Sequence, residues 1–400
     1  MELKVDEGFK EFLEDFETGK YETPLQVPVG VWGSTAWELI DRKTMLEILL
    51  QFTKWQVDRA VKVMPSLYRK AYADRKITGR GLKTMDDFYH LPALIKDATE
   101  NGGMGIREKV KQDPYVMRPN DLKCATFVYK SGGTRGVPTP TFITHLDREI
   151  ESTAWSRGTR YEGITAGDVA FITYNPTHKG GEEMKESLEK AGVTCILKRT
   201  NEEAEDVIKI IKDYGVNVLY TVQGPVNEAE AQQKGPGVNL LKLVEAGGDV
   251  LAKQIRVLFL GGYRLIPEAL EWTKSAHMPL VTLLGSSEAI PQATNTAFNN
   301  DANRFCTENN LHVLNGPHLI EVVKEESGVL VPAKKGEPGI LAYTTVAREG
   351  TIYLRYLPGD SAMVLKNHGE CSCGLKSEII TDVGRIDVPE DVVQTGCCIG

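Results

Sequence analysis

The sequence has no apolar run long enough to cross a bilayer. Its longest, such as Val257 to Leu260, fall far short of the roughly 20 residues that a spanning helix needs. Met1 to Lys20 is acidic and polar and lacks the apolar stretch of a secretory signal. Long basic runs are missing as well, and the net charge is -8 with a pI near 5.6. A nucleic-acid surface therefore gets no support. Internal repeats and low-complexity tracts are absent, which sets aside repeat architectures and compositionally biased segments. Without a signal or a span, a cytoplasmic location is expected, with no membrane partner. In that compartment thiols stay reduced. The seven cysteines (Cys124, Cys195, Cys306, Cys371, Cys373, Cys397 and Cys398) then read as buried thiols or metal ligands, not as a disulfide frame.

What is present is ordinary for a globular protein, with 41% hydrophobic and 26% charged residues. Length alone allows one large domain or two to three small ones. Trp37 to Tyr72 carries apolar residues at helical spacing, among them Leu46, Leu49, Leu50, Phe52, Val57, Ala60 and Val63, interrupted at Pro65. Leu91 to Leu94 reads as a loop leading into Lys96. From Gly167 the pattern changes to short apolar runs separated by amphipathic stretches. The runs are Val169–Tyr174, Val193–Leu197, Val216–Val222, Ile255–Leu260 and Pro279–Leu284. The helical stretches are 182–191, 202–214 and 267–275. Such alternation predicts an α/β core with a largely parallel sheet covered on both faces. From Asn310 the signal becomes antiparallel: 312–314, 319–323, 339–345 and 351–356 read as strands joined by turns.

Chemistry concentrates first in Ser131-Gly132-Gly133-Thr134-Arg135-Gly136-Val137-Pro138-Thr139. Glycines let a backbone turn and aim N–H groups at an anion. Ser131 and Thr134 add hydroxyls, and Arg135 adds charge. The loop lacks the Gly-Lys-Ser/Thr ending of a Walker A motif, and taken alone such a Ser/Gly/Thr cluster is usually just a solvated turn.

This loop resembles the Ser-Ser-Gly-Thr-Thr-Gly-Lys-Pro-Thr loop of phenylacetate–CoA ligases, and further motifs follow in that family's order. Leu284-Gly285-Ser286-Ser287-Glu288 is similar to its Tyr-Gly-x-Ser-Glu segment. Gly261-Gly262-Tyr263 falls where the family lines the adenine pocket. Arg355-Tyr356-Leu357-Pro358-Gly359-Asp360 resembles Arg-Tyr-Arg-Thr-Gly-Asp, and Gly384-Arg385-Ile386-Asp387 resembles the Gly-Arg-x-Asp hinge. Upstream, Ala60–Tyr72 and the Leu-Pro-x-x-x-Lys segment Leu91–Lys96 are also similar. The resemblance runs from about Leu46 onward. It implies a large adenylate-forming domain over 1–383. Within it, 1–120 is mainly helical, 121–300 is the α/β core and 301–383 is an antiparallel β subdomain. It further implies a hinge remnant at 384–400, with the small C-terminal domain and its adenylating lysine absent.

By the same resemblance the chain activates an aryl or small acyl carboxylic acid with ATP, releasing pyrophosphate, and coenzyme A is the usual acceptor. Catalytic roles are implied for Thr134, Arg135, Glu288 and Arg385. Nucleotide contacts are implied for Ser131, Gly132, Gly133, Thr134, Gly136, Gly262, Tyr263, Ser287, Asp360 and Arg385. Glu288 would hold magnesium, and Asp360 would accept the ribose hydroxyls. Tyr174, His178 and Gly285 stand where the acid pocket is expected. Aligning two anions and stabilising charge on phosphoryl oxygens calls for such donors and a cation. Plainer readings stay open: Glu288 as a helix-start carboxylate, Asp360 as a turn residue, Arg385 as half of a surface ion pair, and Tyr174 or His178 as parts of a strand-to-helix turn.

Cys306-x5-His312 and Cys371-x-Cys373 offer three thiolates and an imidazole, an acceptable tetrahedral zinc set. The resembled family often carries a similar pair of segments. The alternative is buried free thiols, and His318 and His368 are spare ligand candidates. Such a closed site would be structural. The chain departs from the family at Leu284, where a Tyr is usual, and at Arg135 and Val137, which replace a Thr and a Lys. The alternatives to a CoA ligase are an adenylating enzyme that acylates an amine or a protein thiol, and a nucleotide-binding protein without catalysis. With no lysine domain, little acyl-CoA is expected from these residues alone. A homodimer is left open.

Overall fold

The computed structural model describes residues 4–97, 105–124, 126–131, 137–174, 179–199, 201–222, 238–261, 266–290, 293–294 and 310–386. Two compact units interleave along the chain. The first comprises Met1–Ala154, Ser286–Gln292 and Val313–Gly400; the second comprises Trp155–Gly285 and Ala293–His312. Among the described residues no helix is long and apolar enough to cross a membrane.

The second unit is the α/β layer that the alternating pattern predicts. Strands Thr194–Leu197, Val169–Ile172, Val218–Thr221, Val257–Gly261 and Leu280–Leu284 lie side by side in that order, all parallel, and Ala293–Thr294 adds an antiparallel edge. Every residue of Val257–Gly261 is buried, so both faces of the sheet are covered. Helix Ala204–Tyr214 has Glu203 and Asp206 in a capping box and Gly215 in the left-handed conformation at its end. Its buried face is Val207, Ile208 and Ile211. Helix Leu240–Gln254, which the sequence reading leaves unassigned, packs on the same core through Leu240, Leu243 and Leu251. A Cβ at Gly247 would stand 2.7 Å from Ile208, so glycine permits this close approach.

The first unit joins the N-terminal helices to the antiparallel strands. Pro65 does not merely interrupt the helical stretch. Helix Arg42–Val63 ends at Met64, and Pro65 opens Pro65–Asp74 at its first position, where its missing N–H costs nothing. Strand Pro338–Thr345 pairs antiparallel with His318–Glu326, Asp360–Lys366 and Tyr356–Leu357, and Ile379–Arg385 continues beyond Asp360–Lys366. A hairpin, Thr126–Lys130 with Pro140–Thr144, flanks the glycine loop.

Two expectations need correction here. Leu94–Ile95 is not loop but a two-residue strand, parallel to Tyr356–Leu357. Conversely, 351–356 is not a strand along its length: only Tyr356–Leu357 pairs. The cause is Arg355, whose φ of 46° breaks the extended run. Its buried guanidinium donates to the carbonyls of Tyr89 (2.6 Å) and Leu330 (2.9 Å) and reaches Glu321 (3.4 Å). Those bonds hold a backbone that the residue would otherwise avoid.

Candidate active site

The site in the first unit is built where the Leu94–Ile95 and Tyr356–Leu357 strands meet the segment 286–290. The parallel register sets Leu94 beside Tyr356, and Lys96 N–H donates to Leu357 C=O at 3.2 Å. Lys96 Nζ then reaches Glu288 Oε1 at 2.7 Å, and the Tyr356 hydroxyl donates to the same oxygen at 3.0 Å. All three side chains are buried. Burial alone would raise the Glu288 carboxyl. The Lys96 charge and the two hydrogen bonds outweigh it and bring the carboxyl down to about 2. Residues 285–290 form no helix, so the reading of Glu288 as a helix-start carboxylate falls.

The main chain at this point is also fixed. Arg348 donates to the Glu288 carbonyl at 3.3 Å and pairs with Glu151, which His318 Nε2 also contacts at 2.9 Å. His318, a spare zinc candidate by sequence, is thus committed to Glu151. The other spare, His368, is half-buried. Burial and the charges of Arg42 and Lys376 push its titration below the ordinary histidine value.

The glycine loop is held at its base. Ser131 N–H donates to Thr139 C=O at 3.1 Å, and Thr139 N–H donates back to Ser131 Oγ at 2.9 Å. The Ser131 hydroxyl keeps its own proton to donate. Arg107 donates to Val137 C=O at 2.9 Å while paired with Asp97, the residue after Lys96. Ser287 Oγ lies 3.4 Å from Lys130 C=O, so its hydroxyl is engaged with the hairpin. Gly132, Gly133, Thr134, Arg135 and Gly136 lie outside the described residues, as do His178, Gly262, Tyr263 and Cys306.

Asp360 and Arg385 are brought together. Asp360 Oδ1 pairs with Arg385 at 2.8 Å, and Tyr343 donates to Oδ2 at 3.3 Å. Arg385 does pair with an acid, but a nearly buried one. Burial of Asp360 raises its carboxyl despite the neighbouring Arg385 and Lys96 charges.

In the second unit, Gly285 is exposed just past strand Leu280–Leu284. The Tyr174 hydroxyl lies against Gly261, where a Cβ would come within 2.7 Å of it. His312 is buried on the strand Leu311–Val313. Returning to the first unit, Val313 N–H donates to Glu378 C=O at 2.9 Å, and the Cys371 and Cys373 sulfurs lie 3.2 Å apart.

Lys96, Tyr356, Arg107 and Arg348 receive no site role from sequence. Lys96 leaves one trace there: it ends a short apolar run inside a motif that resembles the family's.

No family model matches the chain. It is 24% identical over 327 residues to the phenylacetate-coenzyme A ligase of Aromatoleum evansii, covering 79% of this chain and 66% of that protein. Over 324 residues it is 20% identical to the enzyme of the same name from Escherichia coli K12, again with 79% and 66% covered. The chain is thus similar in sequence to phenylacetate–CoA ligases. Its fold is also that of 2-hydroxyisobutyryl-CoA ligase. An open form of that enzyme, crystallised with 2-HIB-AMP and CoA, superposes with a TM-score of 0.68 at 16% identity, covering 88% of this chain and 77% of that one. The chain spans 62–66% of the length of the curated relatives it matches.

Proposed function

We propose that this chain binds ATP with magnesium and activates an aryl or small acyl carboxylic acid as its acyl-adenylate, with coenzyme A as the acceptor. The observation that carries the reading is Glu288: a buried carboxylate kept ionised by Lys96 and Tyr356, beside the anchored base of a glycine loop. An ionised carboxylate in a dry pocket suits a hard divalent cation. Magnesium, when bound, supplies charge that neutralises phosphate oxygens. Glu288 would hold it, while Ser131, Thr134 and Arg135, with the N–H groups of Gly132, Gly133 and Gly136, would hold the phosphates. Gly262 and Tyr263 would line the adenine, and Asp360 the ribose. Tyr174, His178 and Gly285 would border the acid.

The acid's carboxylate oxygen attacks the α-phosphorus. The bond from that phosphorus to the bridging oxygen breaks, and pyrophosphate leaves with the electron pair. The likeness to CoA ligases supports the acceptor. Pyrophosphate exchange over a panel of aryl and small acyl acids tests the activity. Magnesium-dependent ATP binding without exchange for any acid would leave a nucleotide-binding protein. Transfer to an amine or protein thiol but not to CoA would change the acceptor. Absence of ATP binding would end the reading.

Asp360 supplies a sharper test. Its two oxygens now serve Arg385 and Tyr343, and the long, mostly exposed Arg385 can swing aside for a ribose. Asp360→Ala is expected to weaken AMP binding by about 1.5–3 kcal/mol, the range for a hydrogen bond to a charged group. Calorimetry measures it, and an unchanged affinity would remove Asp360 from the site.

We also propose a structural zinc on Cys371 and Cys373, with Cys306 and His312 completing the set. Two adjacent reduced thiols suit a thiophilic ion. Cys371→Ser is expected to lower the melting temperature by roughly 5–10 °C. This follows from metal binding being linked to folding and a shift of about 2–4 °C per kcal/mol in larger domains. Elemental analysis of protein prepared without chelator should find one zinc per chain. Finding no thiophilic metal would refute the site.

A further inference from the structure

Glu288 is held by more than its role as a metal ligand requires. Both donors, Lys96 Nζ at 2.7 Å and Tyr356 Oη at 3.0 Å, go to one oxygen, Oε1. The pairing follows from strand geometry. Leu94 and Tyr356 are opposite in the parallel register, and alternation puts Lys96 on the same face as Leu94. The two donors therefore point the same way from neighbouring strands. At the other end of the residue, Arg348 takes the Glu288 carbonyl and is itself fixed by Glu151. Glu288 is pinned at its main chain and at one carboxylate oxygen.

We propose that Lys96 and Tyr356 are positioning residues that occupy Oε1 of Glu288 and thereby turn Oε2 toward the magnesium. The inference rests on the nucleotide reading above. An oxygen already accepting two hydrogen bonds has little left for a cation. Magnesium demands close to octahedral geometry and commonly takes a single carboxylate oxygen, so a carboxylate fixed in direction presents that oxygen without reorganisation. On this geometry Lys96 and the metal address different oxygens. The lysine stays in place when the metal binds and does not compete with it.

The test compares wild type, Tyr356→Phe and Lys96→Met by calorimetry with MgATP and with metal-free AMP. The electron spin resonance of Mn2+ bound with ATP provides a spectroscopic readout. Tyr356→Phe removes one hydroxyl from an otherwise unchanged ring. It is expected to weaken MgATP by about fivefold, the worth of one ordinary hydrogen bond, and to leave AMP within about twofold. The Mn2+ signal should broaden as the ligand field loses its fixed orientation. Lys96→Met is expected to weaken MgATP further. Should it fail to fold, Tyr356→Phe carries the test alone. Wild-type MgATP affinity in Tyr356→Phe would overturn the proposal. So would tighter MgATP binding in Lys96→Met, because it would mean that the lysine competes with the metal. If wild type binds MgATP in a metal-dependent way and the variants match it, only the positioning role falls. If wild type binds no nucleotide at all, the functional reading falls and takes this inference with it.

Discussion

Glu288→Ala is expected to destabilise the protein by about 3–5 kcal/mol, the usual loss when one partner of a buried ion pair is removed. The Lys96 and Glu288 side chains are 8% and 2% exposed, with nitrogen and oxygen 2.7 Å apart. Deleting the carboxylate leaves a buried ammonium without its ion-pair partner, and leaves the Tyr356 hydroxyl without its acceptor. Glu288→Gln should lose less than Glu288→Ala, because an amide oxygen can still accept from Tyr356 and Lys96. The double variant Lys96→Met with Glu288→Leu should be closer to wild type than either charge deletion, since no unpaired charge then stays buried. Urea denaturation of the four proteins measures all of this. A loss under about 1 kcal/mol for Glu288→Ala would put the pair in the class of solvent-exposed bridges. In that event the site at Glu288 would be open to water.

How much of this is legible in advance depends on the kind of trace each feature leaves in a sequence. The second unit's strands announce themselves because parallel strands buried on both faces are continuous apolar runs, such as Val257-Leu258-Phe259-Leu260. Helix Pro267–Ser275 is legible from its opening proline. Leu94–Ile95 is not, because two residues hold no period, and its partner strand lies far along the chain. Thr351 to Arg355 misleads for the opposite reason. Its composition suits a strand, and only the bonds from Arg355 to Tyr89, Leu330 and Glu321 show why the backbone turns there. The candidate site divides in the same way. Ser131, Glu288, Asp360 and Arg385 sit in motifs, and local spacing can register a motif. The Lys96–Glu288 contact joins residues 192 positions apart, and spacing carries no information about it. Sequence supplies a set of groups; it lacks which group faces which.

The second large effect is expected in the other unit, at Glu162, which no motif contains. Glu162 follows the helix His145–Tyr161 and is fully buried. Its Oε2 accepts from the Tyr220 hydroxyl at 3.0 Å and its Oε1 from the Thr294 hydroxyl at 3.0 Å. Burial raises its carboxyl from the usual 4.5 to about 7, and the two hydroxyl bonds offset only part of that rise. Tyr220, pushed far above its ordinary value by the same burial, stays neutral throughout. The sign follows from the two states. In the folded protein Glu162 keeps its proton up to about 7, whereas in the unfolded chain it gives it up near 4.5. Between those values folding takes up a proton, so raising the pH weakens the folded state. The stabilising contribution is fully present below about 4.5 and is lost as pH climbs through 7. Each pH unit between the two values is worth about 1.36 kcal/mol, so the loss is on the order of 3 kcal/mol. Glu162→Gln should escape it. The amide has no proton to lose, its oxygen can accept from one hydroxyl, and its NH2 can donate to the other. Stability of wild type and Glu162→Gln measured by denaturant at intervals from about pH 4.5 to 8 should therefore diverge. The variant should gain about 3 kcal/mol on wild type across that range, most of it between about pH 5 and 7. A difference that stays constant with pH would mean that the ionised carboxylate is stabilised by water or by a cation. The protonated form would then not be what holds Tyr220 and Thr294 together in the second unit's core.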